Sequence, residues 1–160
     1  MINFSFSEFR CNDGTPLPDI YKANVLALVN YVLDPLRDRL GYPIIVTSGF
    51  RTGIFNARIG GSPFSQHLWA KAADIVTMSK NVPFRQIILA WLILDMGLPF
   101  DQLILGGVNV SLTSCHYVHV SYDIDKQKQR REILYQRDGS KEYAYITRSK
   151  VMEYLNFINY

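Results

Sequence analysis

Ser65-Gln66-His67-Leu68-Trp69-Ala70-Lys71-Ala72-Ala73-Asp74-Ile75-Val76-Thr77 is the stretch on which the fold turns. Its second half, Ala72 to Thr77, is apolar and β-rich and reads as a strand carrying Asp74. Its first half follows the turn-forming Gly60-Gly61-Ser62-Pro63 and carries His67. His67 and Asp74 stand seven residues apart. On one helix they would share a face but sit about 10 Å apart along the axis. In one straight strand the odd spacing would send them to opposite faces. For both to reach one ion at about 2 Å, the chain must fold back through Leu68-Trp69-Ala70-Lys71. Read alone, the pair is more simply a capped loop beside a salt-bridged Asp.

The chain has three histidines, and the other two lie in His116-Tyr117-Val118-His119-Val120-Ser121. Alternation puts Tyr117, His119 and Ser121 on one face and Val118 and Val120 on the other. The valines belong to a core, so His119 faces a cleft or solvent. A lone His in such a place is more often structural than a ligand. A His, a carboxylate and a second His nevertheless form the three-ligand set that holds a catalytic zinc with its fourth position open to water.

Outward from these segments, Ile20 to Leu40 carries apolar residues at helical spacing, with Asp19 as the expected N-cap and Pro35 as a kink or break. Ile44 to Thr47, Gln102 to Leu105 and Tyr117 to Tyr122 read as strands. Val82-Pro83 opens a helix that runs through Met96 and closes at Gly97. Ile133 to Gln136 and Tyr143 to Thr147 flank Asp138-Gly139, a hairpin signal, and a last helix is expected from Ser149 to Ile158. This order predicts an α+β fold, a small, mostly antiparallel sheet with flanking helices and a single zinc site in a cleft. One domain over 1–160 is expected, with a core over about 4–131 and a hairpin-plus-helix appendage over 132–160.

Composition narrows the function classes. The chain has 160 residues, 48% hydrophobic and 19% charged, which suits a compact domain. A net charge of +3 falls short of a nucleic-acid-binding balance. The basic run Lys126, Lys128, Arg130 and Arg131 lacks interleaved aromatics and is flanked by Asp123, Asp125 and Glu132, so it reads as a solvated face. Cys11 and Cys115 form no Cys-x-x-Cys pattern and read as reduced thiols. Met1 to Phe4 lacks the pattern of a secretory signal, and the apolar run Ile87 to Leu94 is too short to span a bilayer. The expectation is a protein made in the cytoplasm, with no integral membrane segment and an oligomeric state left open.

The run from Ser65 to Asp74 closely resembles the Ser-x-His-x-x-Gly-x-Ala-x-Asp signature of the zinc D-Ala-D-Ala carboxypeptidase family, which also includes D-alanyl-D-alanine dipeptidases and phage endolysin endopeptidases. Thr47-Ser48-Gly49-Phe50-Arg51-Thr52 resembles that family's Ser-Gly-Tyr-Arg-Thr segment. Tyr117 to Ser121 resembles its Trp-Val-His-Val-Ser strand. Phe6-Ser7-Glu8-Phe9 and Phe100-Asp101-Gln102-Leu103-Ile104 are similar to segments of small members carried by phages. The resemblance spans roughly Phe4 to Arg131. It implies one zinc per chain held by His67, Asp74 and His119, with Arg51 on a substrate carboxylate or developing oxyanion. Ser65 and Gln66 are then expected to shape the substrate site beside His67.

Two departures stand out. The signature glycine is Ala70, which matters only if that position needs a positive φ. The carboxylate that family enzymes carry three residues before the last His ligand is replaced by His116, and Leu105-Gly106-Gly107 supplies no Glu in its stead. Histidine is a residue type able to transfer protons near neutrality, yet on a regular strand position 116 would turn away from His119. Proton shuttle, bystander and additional ligand all remain open for it. The resemblance thus implies a zinc metallopeptidase that cuts peptidoglycan stem peptides as a carboxypeptidase or endopeptidase, of phage or prophage origin, reaching the wall after release or host lysis. The competing expectation is a catalytically weakened, zinc-containing member that serves as a cell-wall-binding module.

Overall fold

A computed structural model describes residues 1–78, 86–111 and 114–153. The long N-terminal helix forms in three parts. Helix α1 (Lys22–Leu28) passes through a single widened π turn, Val29–Leu33, into α2 (Asp34–Leu40). The widened turn lies directly before Pro35, where the ring removes one backbone donor and crowds the preceding turn. Asp19 is not the cap. It begins a 3-10 turn and pairs with Lys22 at 2.7 Å. The buried Asp34 carboxylate accepts from the backbone N–H groups of Ile2 and Asn3, which ties the start of the chain to this helix.

Six strands follow: β1 (Ile44–Ser48), β2 (Ala72–Thr77), β3 (Gln102–Val108), β4 (Tyr117–Ser121), β5 (Glu132–Arg137) and β6 (Tyr143–Tyr145). They form one sheet in the order β1-β2-β4-β3-β5-β6. The fold is α+β, but the expectation of a mostly antiparallel sheet is corrected to a mixed one, because β5 runs parallel to β3. The cause is local. Both edges of β4 are already taken by β2 and β3, so the chain leaving β4 must return to the free edge of β3. The N–H of Glu132 bonds to the Asp101 carbonyl, which starts β5 beside the start of β3. The hairpin β5-β6 at Asp138-Gly139 is antiparallel and completes the same sheet.

Helices cover one face. Helix α4 (Ile87–Asp95) packs against α2, β3, β4 and α5 (Arg148–Glu153). Alternate strand residues Ile75, Leu103, Leu105, Val118 and Val120 point to this side and are buried with Leu28, Leu33, Leu36, Leu89 and Ile93. Each such aliphatic side chain contributes about 1.5–3 kcal/mol when fully buried. The opposite alternation therefore leaves Asp74, Ile104 and His119 on the other face, and that face carries the site. The expected opening of α4 at Val82-Pro83 and the end of the last helix past Glu153 lie outside the described residues.

One short element escaped the sequence reading. Helix α3 (Gly53–Arg58) begins where the Thr52 hydroxyl accepts from the Phe55 N–H at 3.1 Å. It follows directly on Arg51, whose side chain lines the cleft.

Candidate metal centre

His67 sits in a 3-10 turn, Gln66–Trp69, and the chain then reverses at Ala70. Ala70 has φ +51°, so the position where the signature has glycine does require a left-handed backbone. The N–H groups of Ala70 and Lys71 close the turn on the carbonyls of His67 and Gln66, at 3.1 Å each. The chain thus folds back through Leu68 to Lys71, and Asp74 on β2 faces His67. An Ala in this conformation costs roughly 1 kcal/mol, while its buried methyl contributes about 0.8 kcal/mol. Ala70→Gly is therefore expected to keep folding stability within about 1 kcal/mol of wild type. Ala70→Val, β-branched and larger in a packed position, should lose roughly 2 kcal/mol or more in chemical denaturation.

Register does the rest. Asp74 pairs with His119 across β2 and β4, which brings the three expected ligands together. His67 Nε2 lies 3.2 Å from Asp74 Oδ1 and 3.1 Å from His119 Nδ1, and His119 Nδ1 lies 2.9 Å from the same oxygen. All three side chains are buried.

The chemistry of these atoms fits a cation. His67 Nδ1 lies 2.6 Å from the Gly49 carbonyl, an acceptor only, so Nδ1 carries the proton and Nε2 presents a lone pair. His119 Nε2 faces the Gln66 side-chain oxygen Oε1 at 3.4 Å, which leaves the Nδ1 lone pair inward. Two imidazole lone pairs and a carboxylate oxygen at about 3 Å from one another repel unless a proton or metal lies between them. Ligands at about 2.0–2.1 Å around a tetrahedral zinc are separated by about 3.3 Å, close to what is seen. Burial alone would raise the Asp74 carboxyl, but the His67 and His119 rings outweigh it and hold the group below the ordinary carboxylate range. Burial lowers His119, against the opposing pull of Asp74. Both shifts favour the deprotonated forms that ligate.

Around the ligands lies a ring of supports. Gly49 must be glycine because a Cβ there would stand 2.6 Å from the Phe9 Cα. The 3-10 turn Phe6–Phe9 packs on this point, and the Phe50 N–H bonds to the Phe9 carbonyl at 2.9 Å. That contact holds the Gly49 carbonyl toward His67. Arg51 donates from Nη2 to Asp74 Oδ2 and from Nε to Ser48 Oγ. It therefore orients a ligand as well as lining the cleft. Gln66 donates to Asp101 Oδ2, and Asp101 accepts from Arg130 through Nε at 3.0 Å and Nη2 at 2.9 Å. A chain Arg130–Asp101–Gln66–His119 thus fixes which His119 nitrogen faces inward. Burial opposes ionisation of Asp101, but Arg130 lowers its pKa overall.

The expected site residues do not all meet. Arg51, Ser65, Gln66, His67, Asp74 and His119 line one cleft of about 350 Å³. His116 is not brought there. Its side chain is 67% exposed and its Nδ1 lies 3.8 Å from Asp138 Oδ1. The ring rests against Gly107, at a bend one residue before β4 begins. Cys115 is buried and its thiol is pushed up to about 12 by that burial, so it is an inert core group. Missed in the sequence were Gln102, Arg130 and Tyr143, which also line the cleft, as does Tyr117, which alternation had placed on the His119 face. Arg130 was hidden in a charge run whose solvated appearance concealed its pairing with the buried Asp101.

Comparison with known proteins identifies the family. A family model described as Peptidase M15 matches residues 2–99, which include Arg51, His67 and Asp74. The zinc D-Ala-D-Ala carboxypeptidase of Streptomyces albus G is 34% identical over 80 residues, a stretch that covers 46% of this chain and 31% of that protein. His119, the third member of the candidate ligand cluster, lies beyond the family match and is brought to it by the register of β4. With its ligand turn, ligand strand and arginine all inside the matched region, the chain belongs to the Peptidase M15 family of zinc peptidases.

Proposed function

We propose that this chain is a zinc peptidase that hydrolyses peptide bonds in peptidoglycan stem peptides, as a carboxypeptidase or an endopeptidase. The convergence of three lone pairs beside a guanidinium, at the floor of an open cleft, is the observation that carries this reading. Zinc held by His67, Asp74 and His119 supplies a Lewis acid and a water acidified toward neutrality. Gly49 and Gln66 keep the two imidazoles in the ligating tautomers. Arg51 holds Asp74 in place and presents positive charge where a substrate carboxylate or oxyanion would lie. Tyr117, pushed up to about 12 by burial and by the charge of Asp74, stays protonated and donates to Gln136 Oε1 at the side of the cleft.

A second reading, a cell-wall-binding module, is favoured by one observation. Among the described residues, Asp74 is the only carboxylate lining the cleft, and it is a ligand. Incubating zinc-loaded protein with purified muropeptides and identifying the products by mass separates the two readings. Cleavage is expected. Retention of muropeptides without any new product would establish the binding module instead.

Because His116 stands outside the cleft, His116→Ala is expected to hydrolyse the same muropeptides within about threefold of wild type. A general acid–base group is worth roughly 10²–10⁴-fold. A loss of that size, with zinc content unchanged, would return the proton shuttle to His116.

A further inference from the structure

Among the described residues, one buried side-chain polar atom has no hydrogen-bond partner. It is Oδ1 of Asn56 on α3, a residue only 3% exposed. The amide cannot be turned over to relieve it. Asn56 Nδ2 donates to the Ser62 carbonyl at 2.9 Å, an acceptor only, so the other atom must be the oxygen. A buried carbonyl without a donor is costly, and its persistence in a fold calls for a partner.

Oδ1 packs against Gly61, where a Cβ would stand 2.2 Å from it, so any side chain at 61 would occupy the approach to the oxygen. Both residues line a groove of about 520 Å³, whose other walls are Gly53, Ala57, Pro63 and Leu68. The groove lies between α3 and the turn that carries His67, and its size suits a small-molecule site. Asn56 supplies the polar side chain in an otherwise apolar lining. Ile54 and Phe64, which follow Gly53 and Pro63 in the chain, are 78% and 89% exposed. Apolar side chains left in water around a groove mark a binding surface. Gly61 also lines the metal cleft, as do Ser62 and Phe64, so the 61–64 loop is a wall common to groove and cleft.

The complement of this groove is a compact amide, one N–H beside a methyl, borne on a ring with an apolar face. We propose that the groove binds an N-acetylhexosamine unit of the wall glycan. The acetamido N–H donates to Asn56 Oδ1, the methyl packs on Ala57 and Leu68, and the sugar ring lies toward Phe64. A bare peptide amide would satisfy Oδ1 but leave Ile54 and Phe64 in water. Because the loop is shared, a sugar in the groove stands next to the stem peptide it carries in the cleft. The inference rests on the peptidoglycan reading and adds a second contact with the wall, independent of the metal.

The test titrates the isotope-labelled full chain with N,N′-diacetylchitobiose, and separately with cellobiose, which has the same two rings but hydroxyls in place of the acetamido groups. The acetylated sugar should shift the Asn56 side-chain resonances and the Ala57 and Gly61 amides saturably, and cellobiose at the same concentrations should not. Ala57 is exposed, so Ala57→Leu fills the groove from its surface and should weaken binding by about tenfold or more. Ala57→Ser, which leaves the groove open, should retain binding, and Phe64→Ala should weaken it about threefold. If the two sugars shift the groove alike, or neither does, the inference is wrong. It is equally wrong if Ala57→Leu binds with undiminished affinity, or if an acetylated dipeptide shifts the groove and the sugar does not. Cleavage of a sugar-free stem peptide by wild type is measured apart and reports the peptidase reading alone. Groove shifts without that cleavage would keep the sugar site and make the protein a wall binder.

Discussion

His119→Ala should lose most of its bound zinc after dialysis, and its affinity in a chelator competition should drop by well over 100-fold. Removing a group one shell out from a metal already costs roughly 10–100-fold, and His119 contributes one of the three converging lone pairs. A thermodynamic readout needs no substrate. A ligand that binds only the folded state stabilises it by about 2.7 kcal/mol at a hundred times its dissociation constant. The wild-type melting temperature should therefore rise with added zinc, and that of His119→Ala should stay flat. Undiminished zinc content in the variant would show that the ion is held elsewhere.

The ligand set was legible through the resemblance of its motifs; geometry alone left a capped loop beside a salt-bridged Asp, and added only what chelation by that set would require. The odd spacing of His67 and Asp74 excluded a single helix or strand and required the reversal that Ala70 now makes. Alternation over Tyr117 to Ser121 placed His119 opposite the buried Val118 and Val120. Both are local inferences. What was not legible depends on contacts between distant segments. The parallel pairing of β5 with β3 is set by the return of the chain to Asp101, through the Glu132 N–H and the Arg130 side chain. No periodicity reports that. Arg130 resembles its solvated neighbours in composition, and only the buried Asp101 distinguishes it. The His116 question was open in the sequence for a similar reason. Alternation pointed away from the metal and a bend could have reversed it; the chain does bend at His116, one residue before β4, yet the ring turns toward Gly107 and Asp138.

Arg51 is where position and chemistry converge, and its replacement should have a compound effect. Arg51→Ala removes the donor to Asp74 Oδ2 and the brace to Ser48. Zinc affinity should accordingly fall about 10–100-fold, as expected for a partner that orients a ligating carboxylate. Measured again at zinc concentrations high enough to refill the site, kcat/KM on muropeptides should still be lower by about 10²–10³, the worth of a donor aimed at an oxyanion or carboxylate. Arg51→Lys keeps the charge but not the planar fork, so it cannot brace Asp74 and Ser48 together. It should recover part of the rate and little of the metal affinity. The two effects separate cleanly. If saturating zinc restores Arg51→Ala to within about twofold of wild type, Arg51 acts only through Asp74, and Arg130, the other guanidinium lining the cleft among the described residues, becomes the candidate for the positive charge that meets the substrate.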